Sequence, residues 1–246
     1  MEALGALELL FFALVIVLSY AIRGSAGFGG VTVPLLAWIL SLKTVAPMVT
    51  FLGLISSAAI LVRDHRHVAW GDALRVMPSC LVGVLAGLYF FATLDARTLA
   101  RALGVFVAAY GAYSLWTALR PLPALKLPLR AATPAMGTAA GFVGTLFGAN
   151  AGMFFAIYLD LLGHDKHRFR ATVAAILLGL GILRGAGYLA IGAYDRDALI
   201  ACAAALPLMA IGIYLGNRIH ARLEPLAFRR LVALVLIASG VPLILR

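Results

Sequence analysis

Charge is scarce in this chain, and negative charge is scarcer. Only 12% of the 246 residues are charged, with 10 Asp or Glu against 20 Lys or Arg. With 63% hydrophobic residues and a mean hydropathy of +1.03, the composition excludes a soluble core. Polar stretches are lacking too. The longest, near 120–130, is only a linker, so no extramembrane domain is expected. There are two cysteines, Cys80 and Cys202. Both lie inside apolar runs without metal-ligand spacing and read as small core residues. The sequence has no H-E-x-x-H or comparable nucleophile–base set, so neither an intramembrane enzyme nor a cofactor is expected. Glu2 and Glu8 stand where a signal peptide carries positive charge, which argues against a cleavable leader.

What the chain does have is a series of apolar runs near or above ~18 residues, each able to cross a ~30 Å hydrocarbon slab. The expected fold class is an all-α polytopic membrane protein. A net charge of +10 would suggest nucleic acid in a soluble protein. Here most of that charge lies in the loops between apolar runs, the pattern of a chain oriented in a lipid bilayer, and no nucleic acid is expected.

The pivotal stretch is Arg23 to Pro34, R-G-S-A-G-F-G-G-V-T-V-P, which interrupts apolar sequence running from Leu4 to Leu40. Gly24, Gly27, Gly29 and Gly30 fall at spacings that oppose a continuous helix, and Pro34 lacks a backbone N–H. In hydrocarbon, a broken helix is tolerated where it lines a cavity or is buried in protein. Such breaks mark binding sites in transporters, the bland alternative being a kink at a close helix contact. The first helix is predicted over Leu4–Ile22, then a short segment to about Ser41. Further runs cover Thr44–Val62, Asp72–Phe91, Asp95–Trp116, Ala131–Phe147, a segment ending near Leu162, and one reaching Ile191. Asp195-Arg196-Asp197 reads as a tight turn before the last two runs, Ala198–Gly216 and Leu226–Leu245. A second break, Gly148-Ala-Asn-Ala-Gly152, follows Phe147.

The chain is internally duplicated. Pro78, Gly83 and Gly87 recur as Pro207, Gly212 and Gly216, each 129 positions later, as do Asp95/Glu224, Arg101/Arg230 and Gly111/Gly240. Nearer the glycine stretch the offset falls to about 121, pairing Gly27 with Gly148 and Val49-Thr50 with Ala171-Thr172. The expected organisation is therefore a first repeat over 1–119, a cytoplasmic linker over 120–130 and a second repeat over 131–246. Suppose each repeat is a helix plus a re-entrant half-helix followed by three crossings. The repeats are then inverted, and the loops at 63–75, 119–130, 163–170 and 217–230 share one side with 13 Lys/Arg, against five on the other. Parallel halves would spread the charge nearly evenly. The positive-inside rule favours inversion, with both termini outside the cytoplasm.

Inverted half-helices beginning in mid-membrane would aim two sets of free N–H groups at one midplane point, an anion site. Candidate substrate-binding residues are Ser25, Gly27, Phe28, Gly29, Gly30, Thr50, Gly148, Asn150, Ala151, Gly152 and Arg184. Thr32 and Thr172 are further neutral donors, although back-bonding to the helix is the ordinary fate of Ser and Thr. Arg184, deep in an apolar run, must face a cavity or a partner; the bland alternative is a packing contact with a salt-bridge partner, Asp160 being one candidate, or with a backbone carbonyl. Arg23 either assists the anion or snorkels to an interface, the latter favoured. His65, His67, His164 and His167 fall in basic loops and read as a solvated face. Glu8 and Asp160 are the carboxylates to consider for proton coupling.

Gly24-S-A-G-F-G-G-V-T-V-Pro34, the weaker copy Gly141-F-V-G-T-L-F-G-A-N-A-Gly152 and the duplicated P-x4-G-x3-G resemble the sulfite exporter TauE/SafE family of the toluene-sulfonate uptake permease superfamily. The second motif departs from the family's G-x-G-G-G at Ala149, Asn150 and Ala151. The resemblance spans essentially the whole chain. It implies secondary transport of a small sulfur-containing or carboxylate anion, such as sulfite or sulfoacetate, across a bacterial inner (cell) membrane, with the glycine motifs at the functional centre. The anionic substrate and the lipid bilayer are the implied partners; a coupled proton and a second copy of the chain as a homodimer are further candidates, which the resemblance does not decide. A non-transporting membrane subunit and an anion channel are the alternatives.

Overall fold

The computed structural model describes residues 5–26, 31–119, 129–148, 154–155, 158–159, 162, 166–218 and 225–245. Among the described residues it is all helical, with no strand. Helix α1 spans Ala6–Ala26, α2 Thr32–Leu36, α3 Leu42–Asp64, α4 Trp70–Thr93 and α5 Ala96–Leu119. Then come α6 Leu129–Phe147, α7 Lys166–Ala190, α8 Arg196–Arg218 and α9 Pro225–Leu245. Six of these helices have the length and composition to cross a membrane. Large apolar side chains cover their outer surfaces, among them Leu7, Leu74, Leu85 and Ile182, with Trp70, Tyr89, Trp116 and Tyr214 exposed towards helix ends. That is the surface a bilayer requires.

The break at the glycine stretch is shorter than the sequence suggests. α1 continues through Arg23 and Gly24 to Ala26, and α2 already begins at Thr32. A single glycine costs a helix only about 1 kcal/mol, which packing readily offsets. Pro34 is likewise no obstacle. It is the third residue of α2, in the first turn, where backbone N–H groups have no intrahelical partner. The Arg63–His67 loop is also more ordered than expected, with α3 reaching Asp64 and a 3-10 turn covering His65–His67.

The helices pack in pairs: α4 on α6, α5 on α9, α1 on α8, α3 on α7, with α3 also meeting α8 and α4 meeting α7. Apolar surface alone does not drive such pairing in lipid, so close backbone approach must. The duplicated glycines provide it. A Cβ at Gly83 would lie 2.1 Å from the Thr138 carbonyl of α6, and one at Gly216 would lie 2.2 Å from the Ala21 carbonyl of α1. α5 and α9 meet through Gly104 and Gly240, each against the other's carbonyl. Cys80 and Cys202 are buried free thiols within this packing, as their setting suggested. Phe11 of α1 stacks on Trp38, ring centroids 6.1 Å apart, and the Trp38 indole donates to the Ser239 carbonyl at 3.1 Å.

Helix ends away from the basic loops carry carboxylate caps. Asp195 Oδ1 accepts the Ala198 N–H at 2.8 Å, so the expected tight turn is the N-cap of α8. Gly192, at φ 69°, ends α7, and the Ala193 N–H closes back on the Tyr188 carbonyl at 2.9 Å. Asp95 caps α5, accepting the Arg97 and Thr98 N–H groups at 3.0 and 3.2 Å and the Thr98 hydroxyl. The Thr98 hydroxyl foremost, then the Thr98 and Arg97 N–H groups, hold its carboxyl below the usual carboxylate range. A lowered folded pKa stabilises above the unfolded pKa and is lost as pH falls through the folded value. Asp95→Asn is therefore expected to lower the melting temperature at about pH 7, with the deficit shrinking towards about pH 3, below the ordinary carboxylate pKa. A deficit unchanged across that range would show that the charge of the cap contributes nothing.

Candidate functional site

Arg184 sits in α7, six residues before its end, and is only 6% exposed. A guanidinium stays protonated inside proteins, so this is a buried charge. Its Nη2 donates to the Thr50 hydroxyl of α3 and, at 2.7 Å, to the carbonyl of Gly148 at the end of α6. Thr50 in turn donates to the Ala46 carbonyl at 2.8 Å. The back-bond that ordinarily neutralises a threonine here turns its oxygen lone pairs towards the arginine.

Gly148 fits this place because it has no side chain. Its φ is 79°, and a Cβ there would lie 2.5 Å from the Ala46 Cα. Two tyrosines close the assembly. The Tyr188 hydroxyl donates to the Thr145 carbonyl of α6, and the Tyr194 hydroxyl to the Pro47 carbonyl of α3 at 3.3 Å. Residues Ala46, Pro47 and Thr50 thus hold the end of α6, Arg184 and Tyr194 together.

No carboxylate stands against Arg184 among the described residues; the ion pairs Asp72–Arg75 and Asp64–Arg170 lie at helix ends. Arg184 has a hydroxyl and a carbonyl instead, and its Nε is buried without a hydrogen-bond partner among the described residues. Three other buried polar atoms share that condition: Tyr20 Oη, Arg23 Nε and Thr145 Oγ1. Tyr20 and Arg23 belong to the last turns of α1, and Thr145 to the last turn of α6. Unsatisfied buried donors are uncommon because each costs about 1–3 kcal/mol. Here they collect where α1 and α6 end.

Arg23 does not snorkel. Its Nη2 donates to the Ser57 hydroxyl of α3 at 3.1 Å, and its guanidinium lies against Gly53, whose added Cβ would be 3.9 Å from both terminal nitrogens. The same group lies 5.9 Å from the Tyr20 ring centroid. A hydroxyl and a side-chain gap on α3 draw it inward.

Of the sequence-predicted residues, Thr50, Gly148 and Arg184 are thus brought into one cluster. Ser25 lies in α1, with its side chain outside the described set. Gly27, Phe28, Gly29, Gly30, Asn150, Ala151 and Gly152 lie outside the described residues, as do Asp160 and His164. Thr172 is elsewhere, accepting the Ala69 N–H at 3.0 Å in the connection before α4. Glu8 accepts the Gly5 N–H at 2.9 Å in the first turn of α1, a capping role. His67 and His167 face each other across the basic loops, ring centroids 6.1 Å apart. Sequence reasoning missed Ser57, Gly53, Tyr20, Tyr188 and Tyr194. Two had a signal: Ser57 shares the helix face of Thr50 at i+7, and Tyr188 follows Arg184 at i+4.

Apolar spans surrounding a buried arginine held by polar groups define a polytopic helical membrane protein with a polar interior. The sulfite exporter TauE/SafE family model matches residues 11–243, and the chain belongs to that family. It is 31% identical over 187 residues to the probable inner membrane transporter protein TsaS of Comamonas testosteroni, covering 73% of this chain and 74% of that one. It is 27% identical over 207 residues to the probable sulfite/organosulfonate exporter TauE of Cupriavidus necator, covering 82% and 78% respectively. No solved structure matches. The protein is a multi-pass protein of the inner membrane from a transporter family.

The cluster makes two stability predictions. Thr50→Val strands a guanidinium donor and is expected to cost about 1–3 kcal/mol in detergent unfolding. Gly148→Ala, strained in φ and pressed on Ala46, is expected to destabilise by more than about 1 kcal/mol. Wild-type unfolding curves for both variants would show that neither residue holds the cluster together.

Proposed function

We propose that this protein is a secondary transporter that moves a small anion, sulfite or an organosulfonate foremost, across the inner membrane by alternating access. The observation that carries this reading is the buried charge of Arg184, held by a hydroxyl and a carbonyl with no carboxylate opposite among the described residues. An arginine within a membrane helix costs up to about 2.5–3.5 kcal/mol even on translocon scales. A purely structural arginine would be held by a carboxylate or by backbone carbonyls, with its buried donors used up. One kept for an anion would be positioned by neutral groups with a donor left over, as the Nε is here. A planar guanidinium suits sulfonate, sulfite or carboxylate because two of its N–H groups can meet two oxygens. In this reading the anion lies beside Arg184 and Thr50, and the backbone of Gly27–Gly30 and Gly148–Gly152 completes the site.

The pairing of helices supports two repeats related by a two-fold, 1–119 and 131–246, joined by the 120–130 linker, and the split of Lys and Arg between loops favours their inversion. Exchanging α1, α3, α4 and α5 for α6, α7, α8 and α9 turns the α1–α8 contact into α6–α4 and the α3–α8 contact into α7–α4, and returns α3–α7 and α5–α9 to themselves. Repeats related in this way rock about a shared site, which suits alternating access. The Phe11–Trp38 stack supports a re-entrant first hairpin, since it sets residue 38 beside the N-terminal part of α1.

Counterflow of labelled sulfite or methanesulfonate in liposomes tests the transport reading. A transporter exchanges the label against a gradient. A channel dissipates it without counterflow, and a non-transporting subunit does neither. Single cysteines at Ala124 and Leu223, in a background lacking Cys80 and Cys202, are expected to react only from the cytoplasmic side. Reaction of the Leu223→Cys protein from the opposite side would contradict the inverted arrangement.

A further inference from the structure

Arg23 and Arg184 belong to different halves of the chain, yet both guanidinium groups rest on one face of α3. Thr50 takes Arg184, Gly53 leaves space for Arg23, and Ser57 takes Arg23. Positions i, i+3 and i+7 share a helix face, so these residues form one polar stripe. From Thr50 to Ser57 the stripe rises about 10 Å, at ~1.5 Å per residue. Arg23 follows the turn of Tyr20 at the end of α1, and Arg184 reaches Gly148 at the end of α6, so each helix break has one arginine beside it.

Both arginines have the same uncommon hydrogen bonding. Each uses Nη2 on an α3 hydroxyl, and each leaves a buried Nε without a partner among the described residues. Their α3 partners, Thr50 and Ser57, stand about 10 Å apart along the helix, near the range over which weakly screened charges act on each other. Two like charges on one part-buried stripe repel, and no described carboxylate offsets them. An oxyanion is the ligand that relieves both conditions, since it brings negative charge and accepts the spare donors. The buried Tyr20 hydroxyl beside Arg23, also unpartnered among the described residues, is a further neutral donor on that side.

We propose that Arg23 and Ser57 form a second oxyanion station on the cytoplasmic side of Arg184 and Thr50, and that the transported anion passes between the two along the Thr50–Gly53–Ser57 face of α3. This rests on the transport reading above and extends it. Cytoplasmic sidedness follows from α3, which runs from Leu42 to the basic turn at Arg63–His67 and so carries Ser57 nearer that side than Thr50. Two stations of moderate strength suit passage better than one deep well, because the anion must leave as readily as it enters.

The test is initial-rate uptake of labelled sulfite and methanesulfonate into vesicles of both orientations. Arg184→Ala is expected to lose at least tenfold from either face. Arg23→Gln and Ser57→Ala are expected to raise KM at least fivefold from the cytoplasmic face and less than twofold from the opposite face. Arg23→Lys should recover part of the cytoplasmic-face loss. Ser57→Ala removes only a hydroxyl, so it remains informative if Arg23→Gln fails to fold. Unchanged kinetics in the Arg23 and Ser57 variants, with Arg184→Ala inactive, would make Arg23 a packing residue and overturn the second station while transport stands. Equal KM increases from both faces would overturn it too, since one shared site would then explain both arginines. A wild-type protein that carries neither anion would overturn the transport reading itself, and this proposal with it.

Discussion

A guanidinium cannot discard its charge inside a protein, and the place where α3, α6 and α7 meet is arranged around that fact. Arg184 in an apolar helix would be intolerable against lipid, so α7 must turn it inward and other helices must supply oxygen atoms. They do so with economy. Thr50 offers a hydroxyl oxygen because its own proton goes to Ala46, and Gly148 offers a carbonyl because α6 ends there in a left-handed turn. Tyr188 and Tyr194 fasten the neighbouring turns to the same partners, α6 and α3. The end of α6 thus supplies the buried charge with a carbonyl oxygen that the left-handed turn at Gly148 presents to it.

The second constraint is backbone proximity. The polar stripe on α3 works only if α1, α6 and α7 come close to α3, and lipid gives no hydrophobic impulse for this. Glycine contacts hold the surrounding helices. Gly83 sets α4 against α6, Gly216 sets α8 against α1, and Gly104 with Gly240 sets α5 against α9. Of these, Gly83, Gly216 and Gly240 carry the duplicated sequence pattern. The repeat is therefore legible in the chain because its glycines are packing positions, where any side chain would collide with a neighbouring carbonyl.

Legibility follows from what each residue's neighbours in sequence can reveal. Membrane spans were readable because composition and run length alone decide them, and observed ends differ by only a few residues from those expected. Arg184 was conspicuous because charge inside an apolar run has no local explanation. Thr50 emerged through the repeat, and Gly148 through the break it opens. Arg23 was misjudged as a snorkelling residue, since its position beside an apparent helix end looks interfacial. Only the arrangement of α3 shows a hydroxyl and a gap awaiting it. Ser57 and Tyr20 were missed for the same reason: Ser and Tyr in membrane helices are commonplace, and their significance depends on which helix stands opposite. Thr172 was expected as a donor to the site, but it lies near the start of α7, far along the helix from Arg184, against the Ala69 N–H.

The central claim is that Arg184 is kept charged and buried for an anion. Detergent melting curves of wild type and Arg184→Ala, each with sulfite and with chloride at equal ionic strength, test it most directly. The account predicts that wild type is stabilised by sulfite over chloride. The alanine variant should remain folded, having lost a costly charge together with its task, and show no such stabilisation. An alanine variant as stable as wild type, with its sulfite-induced shift undiminished, would contradict the account.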